Sequence, residues 1–178
     1  MGAELWVSEV VWMGSPEASL DELHRQLLEP DTLRGILPDA DSLLQMSYEL
    51  LDMLPYLPEE TVPAGTTDLV NSAIFNIETT GVPSDRDEVM AVMAQSLGTG
   101  SALDIDGISH SPPDAGSSLL ATPVSESELV TTFGTTRPEL ADIVSSKAWH
   151  PDTRSARFVV AHGAGGPTHV VFAGVSGD

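Results

Sequence analysis

The feature that most constrains the fold is a pair of apolar segments near the C-terminal end, joined by a glycine-rich turn. Residues 157–162 (RFVVAH) and 168–175 (THVVFAGV) are rich in β-branched and aromatic residues, and GAGGP lies between them. Two such segments joined by a short loop that contains glycine predict an antiparallel β-hairpin. A hairpin of this length is stable only as part of a larger sheet with an apolar face that other elements cover.

The N-terminal segment is a second strand signal. Residues 3–12 are rich in valine and tryptophan and contain few polar groups. Successive side chains of a strand point to opposite faces, so two apolar rows are expected: Leu5, Val7 and Val11 on one face, and Trp6, Val10 and Trp12 on the other. We therefore predict a strand that is covered on both sides.

The sequence between these strands is mostly helical in pattern. Capping residues and helical spacing predict helices over about 19–28, 41–54, 68–77, 85–97, 125–133 and 137–147. Ser125 and Glu128 have the spacing of a capping box, while residues 99–117 are rich in Gly, Ser, Pro and Asp and predict a long surface loop. The predicted fold is α+β: one acidic domain over 1–178, whose small antiparallel sheet includes the N-terminal strand and the C-terminal hairpin, with four to six helices packed against it.

The charge of the chain excludes several functions. The sequence has 27 acidic and 7 basic residues, a formal net charge of -20, and residues 1–60 alone hold 13 acids and 2 bases. Direct binding to nucleic acid or to an anionic membrane needs a basic face, so we expect neither. The acids fit three interpretations: a coat that keeps the protein soluble, an adaptation to high salt, or an acidic face for a basic partner.

The composition also indicates in which cellular compartment the protein is expected. The chain has no cysteine, which excludes disulfides, thiolate catalysis and cysteine-bound zinc. No segment is apolar over the length that spans a bilayer, and the N-terminal residues resemble neither a signal peptide nor a lipidation signal. A cytoplasmic protein of a bacterium or its phage is expected, with no cofactor.

No catalytic or metal motif satisfies its own requirements. Residues 159–166 (VVAHGAGG) resemble the strand and HG loop of α/β-hydrolases, but the nucleophile elbow of that family, G-x-S-x-G, is not matched by Gly174–Asp178. His162 and His169 flank the hairpin turn, and His150 or Asp152 could supply a third metal ligand. We interpret both histidines as ordinary hairpin residues and predict no catalytic and no metal-binding residues.

The first functional hypothesis is a non-enzymatic accessory protein that binds a protein partner, such as an immunity-type protein, a phage-encoded modulator of a host factor or a chaperone-like protein. Apolar groups near acids around one predicted helix would form the contact: Met46, Met53, Tyr56, Leu57, Glu59 and Glu60. The partner's surface could be basic. Two alternatives stay open: an acidic mimic of nucleic acid that blocks a DNA-binding protein, and an enzyme whose site involves His150, Asp152, His162 and His169.

Overall fold

A five-stranded sheet brings the two ends of the chain together. A computed structural model describes residues 4–58, 62–93, 99–110, 120–151 and 155–176. Its strands are β1 (Glu4–Val11), β2 (Gly107–Ile108), β3 (Leu120–Pro123), β4 (Ala156–Gly163) and β5 (Gly166–Ser176). The α+β class, the N-terminal strand and the C-terminal hairpin are confirmed.

The sheet is mixed, which corrects the prediction of an antiparallel one. The strand order is β1-β5-β4-β3-β2. β5 pairs antiparallel with β1 and with β4, but β3 is parallel to both β4 and β2. Two helices connect β3 to β4, and a connection of that length allows the strands to run in the same direction.

Seven α-helices, rather than four to six, lie within the described residues. They are α1 (Pro16–Leu27), α2 (Pro30–Ile36), α3 (Ala40–Met53), α4 (Thr66–Thr80), α5 (Arg86–Val92), α6 (Glu126–Phe133) and α7 (Leu140–Ser145). The segment over 68–77, whose pattern is ambiguous between helix and strand, lies inside α4. Apolar residues at helical spacing form the buried face of this helix, since Val70, Ile74 and Ile77 are all buried.

The chain divides into two compact units. Residues 1–25 and 100–178 form the sheet unit, which holds all five strands with α6 and α7, and residues 26–99 form the helical unit, which holds α2 to α5. This division does not test whether the chain is one domain, so the single domain over 1–178 stays a prediction.

One cluster of the core of the sheet unit lies on the side of the sheet that α6 and α7 cover. Val159 and Ala161 of β4 pack with Val171 and Ala173 of β5, and Leu129, Phe133 and Leu140 pack against them from the helices. Trp149 is buried in this cluster, and its indole N–H donates to the carbonyl of Ile143 at 3.0 Å.

β1 is covered on one side only, so the prediction for this strand is half wrong. Trp6 and Val10 are buried, whereas Leu5, Val7 and Val11 are 44%, 43% and 56% exposed. Alternation shows which residues share a face, but burial needs another element on that face. α6 and α7 cover the same side over β4 and β5, and the exposed row of β1 lies outside that cover.

The beginning of the predicted loop at 99–117 is buried rather than exposed. Residues 101–105 are all buried, and a 3₁₀ turn over Ala102–Asp104 is closed by Ser101, whose hydroxyl accepts from the backbone N–H of Leu103 at 3.2 Å. Leu103 and Ile105 have no exposed area, so they add to the core. Residues 111–117 of the predicted loop lie outside the described part of the chain.

A capping box at the start of α6 is tied to the sheet by an ion pair. The hydroxyl of Ser125 accepts from the backbone N–H of Glu128, and the Glu128 carboxylate accepts from the backbone N–H of Ser125, as the sequence predicts. Arg157 of β4 also donates to this carboxylate at 2.7 Å. The hydrogen bonds from Arg157 and Ser125 lower the pKa of Glu128 from 4.5 to about 2.

Glu128 should therefore stabilise the fold at neutral pH and lose that effect in acid. Its pKa is lower in the folded chain, so the contribution is present above about pH 4.5 and is lost as the pH falls towards 2. We expect Glu128→Gln to lower the free energy of unfolding by less than about 1 kcal/mol at neutral pH, because the pair is partly exposed. Urea titrations across this pH range measure the difference. Glu126→Gln removes the same charge from the same turn, and an equal effect of the two variants would contradict the prediction.

Candidate functional site

The candidate surface is built on the C-terminal end of α3. The helix starts at its N-cap Asp39, whose carboxylate accepts from the backbone N–H and the hydroxyl of Ser42, and these hydrogen bonds lower the pKa of Asp39. Pro55 has no N–H with which to continue the helical hydrogen bonds, so α3 ends and the chain closes into a 3₁₀ turn over Leu54–Tyr56. The backbone N–H of Leu57 bonds to the carbonyl of Leu54 at 3.3 Å, which fixes the chain after the turn.

Three of the six predicted contact residues are exposed at this end. Tyr56 is 87% exposed, and Met53 and Leu57 are also exposed. We call these three residues the α3-end surface. Met46 lies two helical turns before Met53 and is partly buried, so it offers less area than predicted. Glu59 and Glu60 lie outside the described residues.

The helical unit exposes two further aromatic side chains that the sequence analysis did not single out. Tyr48 of α3 is exposed, and Phe75 of α4 is 65% exposed although its neighbour Ile74 is buried. The Tyr48 hydroxyl lies 3.2 Å from a Glu78 carboxylate oxygen and donates to it. The negative charge of Glu78 raises the pKa of Tyr48, with desolvation and this hydrogen bond adding to the effect.

Packing behind these residues fixes the surface in place. Leu50 of α3 packs with Val70 and Ile74 of α4, and Leu44, Leu51 and Leu54 pack against this cluster. The exposed side chains are therefore carried by helices whose opposite faces form a core. Their exposure is a property of an ordered surface and not of an unpacked element.

The helical unit that carries this surface is strongly negative. Residues 26–99 contain 13 acidic and 2 basic residues, a net charge of -11. Every described acid in this unit except Glu88 is exposed. Many occupy the first turns of helices, where a carboxylate stabilises the positive end of the helix dipole, so capping accounts for their positions along the chain.

Glu88 is the one buried acid among them, and its carboxylate is fully engaged. It accepts from the Ser72 hydroxyl at 2.5 Å, the Asn76 amide at 2.9 and 3.0 Å, and the backbone N–H of Ser84 at 2.8 Å and its hydroxyl at 3.1 Å. Burial alone would raise the pKa of Glu88, but these hydrogen bonds together outweigh burial and lower it. The carboxylate joins α4 to the start of α5, which is a structural role.

The histidines of the sheet unit do not pair across the hairpin. His169 lies opposite Ala161, and His162 lies opposite Pro167, with a register shift between them. Burial, with the charge of Lys147, lowers the pKa of His150. Asp152 is outside the described residues. Within the part of the chain that the structure covers, no three His, Asp or Glu side chains are arranged to hold a metal ion.

Comparisons with protein-family models, with curated proteins and with solved structures found no match. In the ranges that the structure describes, no helix combines the length and the apolar character needed to cross a membrane. The geometry of the chain itself is therefore the basis for a functional proposal.

Proposed function

We propose that the protein is a non-enzymatic accessory protein that binds a protein partner through the α3-end surface. The observation that supports this proposal best is the exposure of Tyr56, a large aromatic side chain held on a turn whose backbone is fixed by hydrogen bonds. Tyrosine is enriched among the residues that dominate binding energy at protein interfaces.

The setting of Tyr56 supports the proposal further. A single exposed apolar residue is ordinary, but Met53 and Leu57 are exposed beside it. A small apolar centre surrounded by polar residues is the usual anatomy of a protein interface. Full burial of an exposed apolar side chain is worth about 1.5–3 kcal/mol. Tyr56, which is 87% exposed, would gain most on binding, and Met53 and Leu57 would add the burial of their remaining exposed area.

The charge of the helical unit indicates the partner's chemistry. An apolar pocket with a basic rim would complement Tyr56 and the exposed acids of the helical unit. An immunity-type protein, a phage-encoded modulator of a host factor and a chaperone-like protein all fit this description. The same acids favour one second candidate, a mimic of nucleic acid that occupies a basic cleft, because the helical unit carries -11 over 74 residues.

Tyr56→Ala should weaken binding to the partner by about thirtyfold, the loss typical of a residue at the centre of an interface. The measurement is a pull-down from a lysate of the source cell at low and high salt, with quantitative mass spectrometry, using the original chain and the variant as parallel baits. Val144→Ala in α7 removes exposed apolar area from the sheet unit and serves as the matched control.

The two candidate functions predict different results. A protein partner bound by the α3-end surface is retained at high salt by the original chain and by Val144→Ala, but not by Tyr56→Ala. A nucleic-acid mimic retains basic DNA-binding proteins that are released at high salt, whichever variant is the bait. A partner that Tyr56→Ala and Leu57→Ala both retain in full would show that this surface is not the binding site.

A further inference from the structure

The sheet unit ends in an edge strand that is long, apolar and unpaired on its outer side within the described residues. β1 has 8 residues and stands at one end of the sheet, whereas β2, with 2 residues, stands at the other. Proteins usually keep edge strands short, or protect them with charge or proline, because the free backbone groups of an edge recruit other strands. β2 follows this rule through its length, whereas β1 is four times as long and has one charged side chain, Glu9, in its exposed row.

The outward backbone groups of β1 belong to the same residues that form its exposed row. The N–H of Trp12 donates to the carbonyl of Thr168 at 2.9 Å, on the β5 side. Alternate residues of a strand direct their N–H and C=O groups to the same side, so the even-numbered residues of β1 bond to β5 and the odd-numbered ones point away from the sheet. Leu5, Val7 and Val11 therefore offer both apolar side chains and backbone groups that no other described residue is paired with.

Glu9 places one negative charge in the exposed row of this edge. It occupies the same row, between Val7 and Val11, and no hydrogen bond or ion pair joins it to another described residue. An added strand would place one side chain directly beside each member of the row, at about 5 Å. The complementary sequence is therefore apolar beside Val7 and Val11 and basic beside Glu9.

We propose that the outer edge of β1 binds an extended segment of a partner protein as a sixth strand, with alternating residues that are apolar, basic and apolar. Main-chain hydrogen bonds supply much of the affinity of such strand addition, and the alternate side chains supply its specificity. The charge of the chain argues against a second copy as the occupant, because each copy carries -20 and would place its own Glu9 near the other's row. This inference does not depend on the proposed role of the α3-end surface, which lies in the other unit.

The test is amide hydrogen exchange of the full chain with a defined peptide. The probe is the acetylated and amidated heptapeptide TVTKTVT, whose sequence reads the same in both directions and so fits a parallel or an antiparallel added strand. In the chain alone, the amides of Val7, Glu9 and Val11 should exchange rapidly, while those of Ser8 and Val10 are protected by β5. At a peptide concentration ten times its Kd, exchange of the three odd-numbered amides should slow by about tenfold.

Three changes distinguish strand addition from nonspecific adsorption. The peptide TVTETVT, with glutamate beside Glu9, should bind at least about tenfold more weakly, and Glu9→Lys should reverse this preference. Val7→Pro removes one outward N–H at an edge position that tolerates proline, so it should abolish protection while the chain stays folded. Tryptophan fluorescence checks the fold, since Trp6, Trp12 and Trp149 all lie in the sheet unit.

Three results would each overturn the inference. Odd-numbered amides that are protected in the chain alone, and more so at higher protein concentration, would assign the edge to a second copy. Protection that is independent of concentration would show that the chain covers its own edge. Unchanged exchange at about 5 mM TVTKTVT, a concentration at which even millimolar complexes form, would show that the edge does not accept a strand.

Discussion

Replacing Gly174 by alanine should lower the free energy of unfolding of the sheet unit by about 3 kcal/mol, the upper end of the usual cost of overpacking. Gly174 of β5 lies opposite Trp6 of β1, and the indole ring crosses the place that a side chain at residue 174 would occupy. A methyl group there would overlap the ring, lying 2.6 Å from Cε2 and 2.7 Å from Cη2 and closer still to Cζ2. The ring cannot withdraw without leaving the core, because Trp6 is buried.

Urea unfolding followed by tryptophan fluorescence measures this effect in the sheet unit. Gly165→Ala is the matched control, because nothing lies within 4 Å of its added methyl group, and it should change stability by less than about 0.5 kcal/mol. If the clash is the cause, Trp6→Leu should remove much of the penalty of Gly174→Ala in the double variant. Equal stability of the Gly174→Ala and Gly165→Ala chains would show that the ring and the strand can separate at little cost.

Glu88→Gln should lower the free energy of unfolding of the helical unit by about 2–3 kcal/mol, although it removes only a charge and keeps the shape of the side chain. An amide places its own N–H groups against the donors of Ser72, Asn76 or Ser84, and leaves at least one partly buried donor without an acceptor. Asp87→Asn removes the same charge one residue away on an exposed position and should cost less than about 1 kcal/mol.

Far-ultraviolet circular dichroism during urea unfolding measures the Glu88 effect, because α2 to α5 all lie in the helical unit. The pKa of Glu88 is lower in the folded chain than its ordinary value of 4.5. Its contribution is therefore present above about pH 4.5 and declines as the pH falls through the folded pKa, so the difference between Glu88→Gln and the original chain should shrink in acid. A difference that stays constant from neutral to acid pH would show that the carboxylate is not ionised in the fold.

The sequence correctly predicts the elements whose structure depends on residues close together in the chain. The hairpin turn has a glycine where its geometry requires one, because Gly166 has a φ of 125°. The box of Ser125 and Glu128 predicts the start of α6 because both of its hydrogen bonds form within one turn of chain. The α4 segment is helical because its apolar residues recur at helical spacing, although it contains β-branched residues.

Features that depend on residues far apart in the sequence were not predicted. The parallel pairing of β3 with β4 depends on which strand lies beside which, and four residues of β3 give no signal of it. Residues 101–105 have the composition of a surface loop, yet they are buried because the chain closes a 3₁₀ turn there and places Leu103 and Ile105 in the core. For β1, the alternation correctly predicted which residues share a face. The prediction that Leu5, Val7 and Val11 are covered was wrong.

The candidate site was only partly predictable for a similar reason. Pro55 ends α3, and this predicts that Tyr56 and Leu57 follow a helix end, where exposure is common. Phe75 was missed because its neighbours on α4 are buried, and only the packing of α3 shows which residues remain outside. The hydrogen-bond network of Glu88 has a sequence signal, since Asp85 and Glu88 have the spacing of a capping box, but the spacing does not show that the carboxylate is buried.

The pairing of β1 with β5 also has a consequence for how the chain is made. Glu4 pairs with Ser176, so β1 leaves the ribosome well before β5, the strand that it pairs with. At about 5–20 residues per second, roughly 8 to 30 seconds separate the synthesis of Val11 from that of Gly166. The helical unit, which is continuous in sequence, can fold during this interval, while Trp6, Val10 and the apolar row of β1 stay exposed in the nascent chain. β1 therefore stays unpaired while the residues between it and β5 are synthesised, and the acids that follow β1 help to keep the growing chain soluble.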